Sequence, residues 1–371
     1  MLRKFKVSNF KSFENEFELD FTQVKGYEFN KGSIKNSTIN NAIIYGQNGV
    51  GKSNLALAIF DIVSHLTDKE KMENSYKNYL NAFNNNNYAS FYFQFFFNSS
   101  IVEYEYRKRD SKQIIYERFC IDNKELILFD RENDHNAKIL LAGAESLRSE
   151  IDNPELSILK YVKNNTDLID TLENKTFLGF FKYVEQMLYF RSLLDRVYLG
   201  LEIGKKNIFE DIIKRNNVKD FENFLNTAGI ECVLSVEKRV DTDTIVFDFN
   251  GRKLLFSEVA STGTMALSMF YFWYQIIKNE PNVSFVFIDE FDAFYHHKLS
   301  QLIVQKLIKT GVQFILTTHN TSIMTNDLLR PDCYFEMTKN NIKSFANSTE
   351  KELREGHNIE KMYKAGTFYV E

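Results

Sequence analysis

Apolar and polar residues alternate with a period of two through much of the first third of the chain, which is the pattern of strands that bury one face. Short polar breaks separate these runs, and short connections favour antiparallel pairing of neighbouring strands. The sequence therefore predicts an antiparallel meander in this region. The predicted strands are Phe5–Val7, Phe17–Phe21, Ser90–Phe97, Val102–Tyr106, Ile114–Phe119 and Glu125–Phe129.

The apolar period becomes helical between about Leu140 and Gly229, where three stripes predict amphipathic helices. This stretch is too short and too irregular in heptads for a long coiled-coil arm. The stripes comprise Ile158, Leu159, Tyr161 and Val162, then Phe177–Leu194, then Phe209–Leu225.

Strand patterns return after this helical stretch and then alternate with helices to the end of the chain, as in an α/β core. The predicted strands are Cys232–Val236, Thr244–Phe249 and Lys253–Phe256. We therefore divide the chain into an N-terminal lobe (residues 1–139), a helical insertion (residues 140–230) and a C-terminal lobe (residues 231–371).

Three glycines fall within six positions between an apolar strand pattern and a helix start. The spacing Gly46-x-x-x-x-Gly51-Lys52-Ser53 is that of a phosphate-binding P-loop. We expect backbone N–H groups to surround the phosphates of ATP, Lys52 to reach the β- and γ-phosphates, and Ser53 to hold Mg²⁺. A plain glycine-rich turn is the alternative. The predicted nucleotide-binding residues of this segment are Asn48, Gly49, Val50, Gly51, Lys52, Ser53 and Asn54.

A second apolar strand pattern, Ser284–Ile288, ends in two adjacent acids, Asp289 and Glu290. A buried strand seldom ends in paired carboxylates without a partner for their charge. Beside a P-loop, this pattern is that of a Walker B strand, in which Asp289 holds Mg²⁺ and Glu290 orients or deprotonates the attacking water. An ordinary solvated strand end is the alternative.

The next strand pattern, Phe314–Thr318, ends at His319. A histidine there can sense or stabilise a γ-phosphate, which makes His319 a second catalytic candidate, although a lone histidine is commonly structural. Upstream of the acids, Phe256–Thr264 places small hydroxyl residues and Gly263 at the start of an apolar helix, Met265–Ile277. Such a helix N-terminus forms either an anion site or an ordinary N-cap.

Composition limits the classes of function. The 371 residues are 44% hydrophobic and 26% charged, and the formal net charge of −4 gives no overall attraction to nucleic acid. The three cysteines are far apart in sequence and form neither a metal-binding pattern nor a disulfide framework. No signal peptide and no membrane-spanning stretch is recognised, so we expect a cytoplasmic protein without membrane contact.

Taken in order, these segments resemble those of ATP-binding-cassette ATPases of the SMC, Rad50 and OLD type. Val7–Phe13 resembles the "NFKSF" strand that opens SMC-type heads, and Gly46–Asn54 resembles their "GxNGxGKSN" P-loop. Ser261–Thr264 resembles a degenerate signature motif, Asp289–Asp292 the "DExD" run, and Thr317–Asn320 the histidine switch.

The C-terminal segments Leu328–Asp332, Leu353–Asn358 and Tyr363–Gly366 resemble stand-alone bacterial AAA/ABC-like ATPases related to OLD proteins. Relatives of that kind are the ATPase members of the two-gene phage-defence systems PARIS, AbiL and RloA–RloB. The resemblance implies an α/β fold: a P-loop NTPase of the ABC/SMC-head type with an antiparallel β subdomain and a helical insertion. Leu140–Gly229 is not matched by a motif.

The resemblance also implies a head that closes in pairs around ATP and Mg²⁺. One subunit supplies the P-loop and the acids while Ser261 and Gly263 come from the other, which gives a homodimer or a higher homo-oligomer. An adenine pocket at Asn9, Lys11 and Ser12 is implied in the same way.

Three points depart from the family pattern. SMC heads carry an aspartate where His296 stands, so communication through that loop is expected to differ. The signature lacks the usual second glycine and the following glutamine or glutamate, which weakens the implied contact with the γ-phosphate. The glutamine that such ATPases place near the metal is not identified, and Gln94 and Gln186 are the candidates.

Three functions stay open at this stage. We favour an ATP-hydrolysing, dimerising switch that acts as the sensor or regulatory subunit of an antiviral system and controls a separate effector such as a nuclease. OLD proteins continue into a nuclease domain, and we expect none in the residues that follow His319 in this sequence. A DNA-repair or DNA-binding ATPase is the second function. The basic stretch of this chain, Arg107–Arg109, could contact DNA, but we expect it to be a solvated hairpin. An ATP-gated scaffold without turnover is the third.

Overall fold

Two large sheets organise the structure, and the computed structural model describes residues 1–69, 73–191, 198–200, 208–238, 243–279 and 282–368. The strands are β1 (Leu2–Ser8), β2 (Phe17–Asp20), β3 (Ile34–Lys35), β4 (Thr38–Ile39), β5 (Asn41–Tyr45), β6 (Ala89–Phe97), β7 (Ser100–Lys108), β8 (Ile114–Ile121), β9 (Lys124–Asp130), β10 (Lys138–Ile139), β11 (Met187–Arg191), β12 (Tyr198–Gly200), β13 (Leu234–Glu237), β14 (Thr244–Phe249), β15 (Arg252–Leu255), β16 (Phe285–Asp289), β17 (Gln313–Thr317), β18 (Tyr334–Met337) and β19 (Ile342–Ser344). The α-helices are α1 (Lys52–Leu66), α2 (Ile158–Asn165), α3 (Leu172–Glu185), α4 (Ile208–Lys214), α5 (Val218–Thr227), α6 (Phe256–Val259), α7 (Thr262–Asn279), α8 (His297–Thr310) and α9 (Ile359–Lys364).

The core sheet has the strand order β12-β11-β16-β17-β5-β18-β19. Its central strands, from β11 to β18 in that order, are parallel, and β12 and β19 add antiparallel edges. Every residue of β5, β16 and β17 is buried, as is usual for a parallel sheet covered on both faces. Because these strands are parallel, the loops that follow β5, β16 and β17 all leave the sheet at one edge.

The predicted meander is confirmed as a second sheet, in the order β10-β9-β8-β7-β6-β1-β2. Strands β6 to β9 pair antiparallel in sequence order, and β1 joins them by pairing with β6. Buried and half-buried residues alternate along β7. The buried face packs aromatic rings against α3, as in the pair Phe95–Phe180, whose ring centroids are 5.7 Å apart.

The apolar stripe Phe177–Leu194 is one helix in the prediction but two elements in the structure. Helix α3 ends at Glu185, and β11 follows and pairs in parallel with β16; residues 192–194 lie outside the described residues. A short apolar run suits a buried helix or a buried strand equally, and the pairing with β16 decides between them. The segment 140–230 is therefore not wholly helical, while the division of the chain at its two ends stays a prediction.

A small sheet in the order β13-β14-β15 confirms the three strands predicted after the helical stretch. Strand β14 contacts α4 and α6, and both α4 and α5 contact α7. These contacts hold the long helix α7, which was predicted over Met265–Ile277, beside the core.

Two expectations from composition concern cysteines and membranes. Cys120, Cys232 and Cys333 are free thiols. Within the described ranges, no helix has both the length and the apolar character needed to cross a bilayer.

A buried ion pair joins α1 to the antiparallel sheet. Lys108 Nζ lies 2.9 Å from Asp61 Oδ2, and both side chains are 0% exposed. Tyr106 Oη donates a second hydrogen bond to the same oxygen at 3.0 Å. The expectation of a solvated hairpin at Arg107–Arg109 is therefore wrong for its central residue, because Lys108 is directed into the interior by its carboxylate partner.

A chain of hydrogen bonds continues from α1 to α2. His65 Nε2 lies 2.9 Å from Tyr104 Oη, which donates to Glu117 Oε1 at 2.8 Å. Ser157 Oγ and Ile158 N also donate to the Glu117 carboxylate, at 2.5 and 2.8 Å. Burial raises the pKa of Glu117, against the effect of these donors. This network fixes α1, β7, β8 and α2 relative to one another.

Lys108→Met is expected to lower the free energy of unfolding by about 3–5 kcal/mol, because it leaves the Asp61 carboxylate buried without its counter-ion. Urea denaturation followed by circular dichroism measures the loss. Arg109→Met is the matched control, since Arg109 pairs with Glu132 at the surface, where an ion pair contributes about 0–1 kcal/mol. A loss for Lys108→Met no larger than that of the control would contradict this account of the pair.

Candidate functional site

The loop after β5 contains two glycines, Gly46 and Gly51, at positions where neighbouring atoms leave no room for a side chain. Gly46 has a φ of 155° and Gly51 a φ of 107°. A Cβ atom on Gly46 would lie 2.5 Å from Met337 O, and one on Gly51 would lie 2.6 Å from Ser12 Oγ. Both separations are shorter than any van der Waals contact, so a side chain at either position would push this loop out of its path.

The tip of this loop is open to solvent. Gln47, Asn48 and Gly49 are exposed, whereas Val50 is buried. The loop leads directly into α1, a helix of 15 residues. Backbone N–H groups in such a loop, together with the positive end of the helix dipole, form a binding place for an anion.

Lys52 begins α1 and reaches back over the loop. Its Nζ donates to Gly46 O at 2.8 Å and to Gln47 O at 3.2 Å, and it lies 3.0 Å from His319 Nε2. Burial lowers the pKa of Lys52, while nearby carboxylates oppose that change. The ammonium group therefore links the loop after β5 to the residue that follows β17.

Asp289, the last residue of β16, is a buried carboxylate with a donor on each oxygen. Ser53 Oγ donates to its Oδ2 at 2.6 Å, and Thr317 Oγ1 donates to its Oδ1 at 2.7 Å. The Asp289 side chain is 0% exposed. Because Ser53 lies on α1 and Thr317 ends β17, this one carboxylate ties together the three segments that carry the predicted motifs.

Glu290 follows Asp289 with a left-handed backbone, at a φ of 48°. A residue of this kind is strained at such an angle unless its surroundings hold it. Here the Glu290 backbone N–H donates to Thr317 Oγ1 at 2.8 Å. The Glu290 side chain is 27% exposed, so water reaches Glu290, whereas the neighbouring Asp289 is buried.

Arg191 ends β11 and contacts both acids. Its Nε lies 3.2 Å from Asp289 Oδ2, an ion pair without the geometry of a hydrogen bond. Its Nη2 donates to Glu290 Oε2 at 3.4 Å. Arg191 stands opposite Asp289 in the register of β11 and β16, so the pairing of these strands positions it.

His319 is exposed and lies just beyond β17. Burial of part of the ring and the positive charge of Lys52 both lower the pKa of His319. The ring is therefore neutral at pH 7, and its Nε2 accepts a hydrogen bond from Lys52 Nζ.

A further carboxylate braces the turn that carries His319. Thr318 Oγ1 donates to Asp292 Oδ1 at 2.5 Å, and Asn320 Nδ2 donates to Asp292 Oδ2 at 3.1 Å. Burial raises the pKa of Asp292, against the effect of these donors. The residues on both sides of His319 are thus attached to the segment that follows Glu290.

The oxygen atoms around Asp289 suit a magnesium ion. Mg²⁺ is commonly held by one or two protein oxygens, with water and phosphate oxygens completing its octahedron. A hydroxyl and a carboxylate, from Ser53 and Asp289, meet here. Across the described residues, no group of three or more histidine, cysteine or acidic side chains is gathered for a metal. This donor set fits a metal that arrives together with a phosphate ligand.

Two of the three N-terminal candidates have structural partners. Asn9 is buried, and its Nδ2 donates to Asn86 O and Tyr88 O, at 2.7 Å each. Lys11 Nζ donates to Lys77 O at 3.0 Å. The amide of Asn9 thus anchors a loop, and its assignment as an adenine contact stays a prediction.

Ser12, the third N-terminal candidate, adjoins the P-loop. Asn54 Nδ2 donates to Ser12 Oγ at 2.9 Å, and the same oxygen is the atom that excludes a side chain at Gly51. Ser12 therefore shapes the loop from outside, and Asn54 turns toward Ser12.

The predicted signature residues have local contacts at the start of α7. Ser261 Oγ lies 2.9 Å from Thr264 Oγ1 and accepts a hydrogen bond from Thr264 N at 3.2 Å. A Cβ atom on Gly263 would lie 3.4 Å from Phe294 O. Within one chain this segment is an N-cap, and the structure does not bring it into the cluster around Lys52.

Sequence reasoning missed Arg191, because the apolar run before it was assigned to a helix. Taken as a strand, Met187–Phe190 would have directed attention to the charged residue at its end, as it did for the two acids. Gln186 lies at the other end of β11, where its carbonyl accepts from Ser284 N at 3.0 Å. Gln94 lies within β6 of the antiparallel sheet. Neither glutamine lies in the cluster that contains Arg191.

A family match covers the same residues as this cluster. The family model described as "AAA domain, putative AbiEii toxin, Type IV TA system" matches residues 42–325, more than half of the chain. The chain belongs to this AAA family. The matched range of this AAA protein contains the P-loop, both acids and His319, and the predicted α/β fold class is confirmed.

Solved structures align with this AAA protein along most of its length at low sequence identity. An SMC head bound to the C-winged helix domain of ScpA shows 16% identity, covers 92% of this chain and 96% of its own, and has a TM-score of 0.46. The SMC head domain from Thermotoga maritima shows 16% identity, coverage of 92% and 98%, and a TM-score of 0.43. The recombination mediator RecF with ATP shows 15% identity, coverage of 93% and 99%, and a TM-score of 0.39. A search of curated proteins returned no significant match.

Lys52→Met is expected to raise the pKa of His319, because the charge of Lys52 is one cause of its lowering. NMR titration of the ring, assigned with His319→Gln, measures this pKa, which in the wild type lies below the ordinary 6.5. Since the folded state favours the neutral ring, this histidine reduces stability as the pH falls below about 6.5 toward the folded pKa.

Lys124→Met is the control for this titration, because Lys124 is an exposed residue paired with Glu173. It should leave the His319 titration unchanged. The same pKa in Lys52→Met and in the wild type would contradict the contact between Lys52 and His319.

Proposed function

We propose that this AAA protein binds ATP with Mg²⁺ and hydrolyses the nucleotide. The observation that carries the proposal is the meeting of Lys52, Ser53, Asp289, Glu290 and His319 at one edge of the core sheet, although they come from three distant stretches of sequence. A 2.6 Å hydrogen bond from Ser53 to Asp289 links the P-loop stretch directly to the acids.

The P-loop residues are proposed to hold the phosphates. The exposed N–H groups of the loop and the start of α1 attract an anion, and Lys52 exchanges its bonds to loop carbonyls for bonds to the β- and γ-phosphates. Ser53 and Asp289 would hold Mg²⁺, which when bound neutralises phosphate charge. In this assignment Asp289 is the metal ligand, because its carboxylate meets the Ser53 hydroxyl and, unlike that of Glu290, is closed to water.

Glu290 is proposed to act on the attacking water. It is the acid of the pair that water reaches, and as a general base it accepts the proton of that water at a carboxylate oxygen. His319 is proposed to sense the γ-phosphate through its contact with Lys52, because a lysine that turns toward phosphate releases the histidine ring.

Ser261 and Gly263 are proposed to act on the nucleotide bound by a second copy of the chain. In one chain these residues form the N-terminus of α7, a helix of 18 residues whose dipole favours an anion. The loop tip at Gln47–Gly49 is exposed, so a triphosphate held there would be open to a second chain. A second copy that covers this side with its α7 N-terminus gives a homodimer or higher homo-oligomer, which ATP closes and hydrolysis opens.

The biological role is proposed to be regulatory, in a two-component antiviral system that includes a separate effector such as a nuclease. The C-terminal resemblance to ATPases of phage-defence systems supports this role. The family description, which names a putative toxin of a type IV toxin–antitoxin system, also fits a protein that works with a partner.

The basic stretch Arg107–Arg109 does not support the DNA-repair alternative. In the basic stretch Arg107–Arg109, Lys108 is buried against Asp61, and Arg107 and Arg109 each pair with a glutamate. These residues therefore do not offer a set of free cations to a phosphate backbone.

Glu290→Gln is expected to lower kcat for ATP by about 10²–10⁴-fold, because the proton acceptor is lost, while ATP binding is retained and the closed assembly lives longer. Lys52→Ala is expected to lose ATP binding. Binding of a fluorescent ATP analogue, phosphate release and light-scattering mass measure the three properties.

Glu350→Gln, which alters an exposed acid outside the cluster, is the control and should match the wild type in all three measurements. Hydrolysis by Glu290→Gln at the wild-type rate would assign the base to another residue.

Co-expression with the product of the adjacent gene is expected to give a complex whose effector activity depends on ATP, with that dependence lost in Lys52→Ala. Phosphate release is compared with and without this partner, and with duplex DNA over a range of salt concentrations. Salt-sensitive stimulation by DNA but not by the partner would support the DNA-repair alternative. Tight ATP binding without turnover under all of these conditions would support the scaffold.

A further inference from the structure

The guanidinium group of Arg191 lies between the two acids of the candidate site. Its Nε is 3.2 Å from Asp289 Oδ2 and its Nη2 is 3.4 Å from Glu290 Oε2. Among the described residues, Arg191 is the basic side chain within ion-pair distance of both acids, since Lys52 donates to carbonyls of the loop. Arg191 thus offsets part of the charge of the acid pair.

The oxygen that faces Arg191 is also the one that a metal would use. Asp289 Oδ2 accepts the hydrogen bond from Ser53, the other candidate metal ligand, whereas Asp289 Oδ1 is engaged by Thr317. A cation held between Ser53 and Asp289 therefore has to bind at Oδ2. A divalent cation and a guanidinium group within a few ångströms of one oxygen repel each other, so the two compete for it.

We propose that Arg191 competes with Mg²⁺ for Asp289 and remains with Glu290 when the metal binds. This inference rests on the nucleotide site proposed above. The Arg191 side chain is 34% exposed, whereas Asp289 is 0% exposed, so Arg191 is the partner with room to move. Its Nη2 already contacts Glu290, which gives the displaced guanidinium group a second carboxylate.

Arg191 is in this view a positioning residue. Before the metal binds, it stabilises two adjacent carboxylates that would otherwise repel each other. Afterwards it holds the carboxylate of Glu290, the proposed base, through the remaining contact. A purely structural ion pair would instead support the fold to the same degree with and without metal.

The first test titrates Mg²⁺ against the full-length protein with a fluorescent, non-hydrolysable ATP analogue. Arg191→Ala is expected to reach half-maximal binding at about two- to fivefold lower Mg²⁺ than the wild type, because the competitor for Oδ2 is gone. Arg191→Lys should lie between the two, since it keeps the charge without the second contact. Arg118→Ala removes an ion pair with Glu125 in the antiparallel sheet and should titrate like the wild type.

A second test needs no nucleotide and follows thermal unfolding in EDTA. Arg191→Ala is expected to lower Tm by about 1–2 °C, because the acid pair loses its counter-ion. In a protein that already carries Asp289→Asn, Arg191→Ala should lower Tm much less. The effects of the two substitutions on Tm are therefore expected to be non-additive.

An unchanged or higher Mg²⁺ requirement in Arg191→Ala would overturn the competition, and additive effects in EDTA would overturn the stabilising pair. The two proposals fail in distinguishable ways. If the wild type binds no analogue at any Mg²⁺ concentration, the nucleotide function fails and the competition fails with it. If the wild type binds the analogue in a Mg²⁺-dependent way and Arg191→Ala titrates identically, only the role of Arg191 is wrong.

Discussion

A carboxylate sealed from water needs donors close at hand, because moving an ionised acid out of water costs several kcal/mol. At Asp289 these donors are the hydroxyls of Ser53 and Thr317, supplemented by the charge of Arg191. They lie on α1, β17 and β11, which are remote in sequence. Only the strand order that places β11 and β17 on either side of β16 brings them to one carboxylate. The chemistry of the site therefore depends on the topology of the core sheet.

One hydroxyl gives the two neighbouring acids different environments. Thr317 Oγ1 donates to Asp289 and accepts from the backbone of Glu290, using both the donor and the acceptor capacity of a hydroxyl group. The first bond gives the buried carboxylate of Asp289 a hydrogen-bond donor on its Oδ1. The second supports the left-handed turn at Glu290, whose side chain remains accessible. A fixed, buried oxygen beside an accessible one suits the separate tasks of binding a cation and accepting a proton.

The parts of the site that the sequence predicts are those that follow directly from local pattern. The P-loop, Asp289–Glu290 and His319 each end an apolar strand, and parallel strands place such ends together. Arg191 ends a strand of the same kind, but its apolar run also suits a helix, and only pairing with β16 distinguishes the two. The motif that contains Asn9 does not indicate that its amide binds the loop at Asn86 and Tyr88, because that contact depends on the tertiary structure.

At Lys108 the strand pattern and the residue type give opposite predictions of burial. Strict alternation along β7 places Lys108 on the same face as Tyr104 and Tyr106, which are buried. A lysine at that position is more readily interpreted as the solvated end of a strand, since lysine is rarely buried without a partner. The partner, Asp61, lies on a helix that the strand pattern does not reveal.

The first half of helix α1 belongs to the candidate site, and its second half is bonded to the antiparallel sheet. Its first turn carries Lys52 and Ser53, while Asp61, about 12 Å further along the axis, is bound to the antiparallel sheet through Lys108 and Tyr106. Separating that buried pair is costly, so a tilt of α1 at its phosphate-facing end has to be transmitted to the sheet as a rigid body. The loop at Gly46–Gly51 and the antiparallel sheet are thus attached to opposite halves of one helix, and any displacement of that helix would involve both.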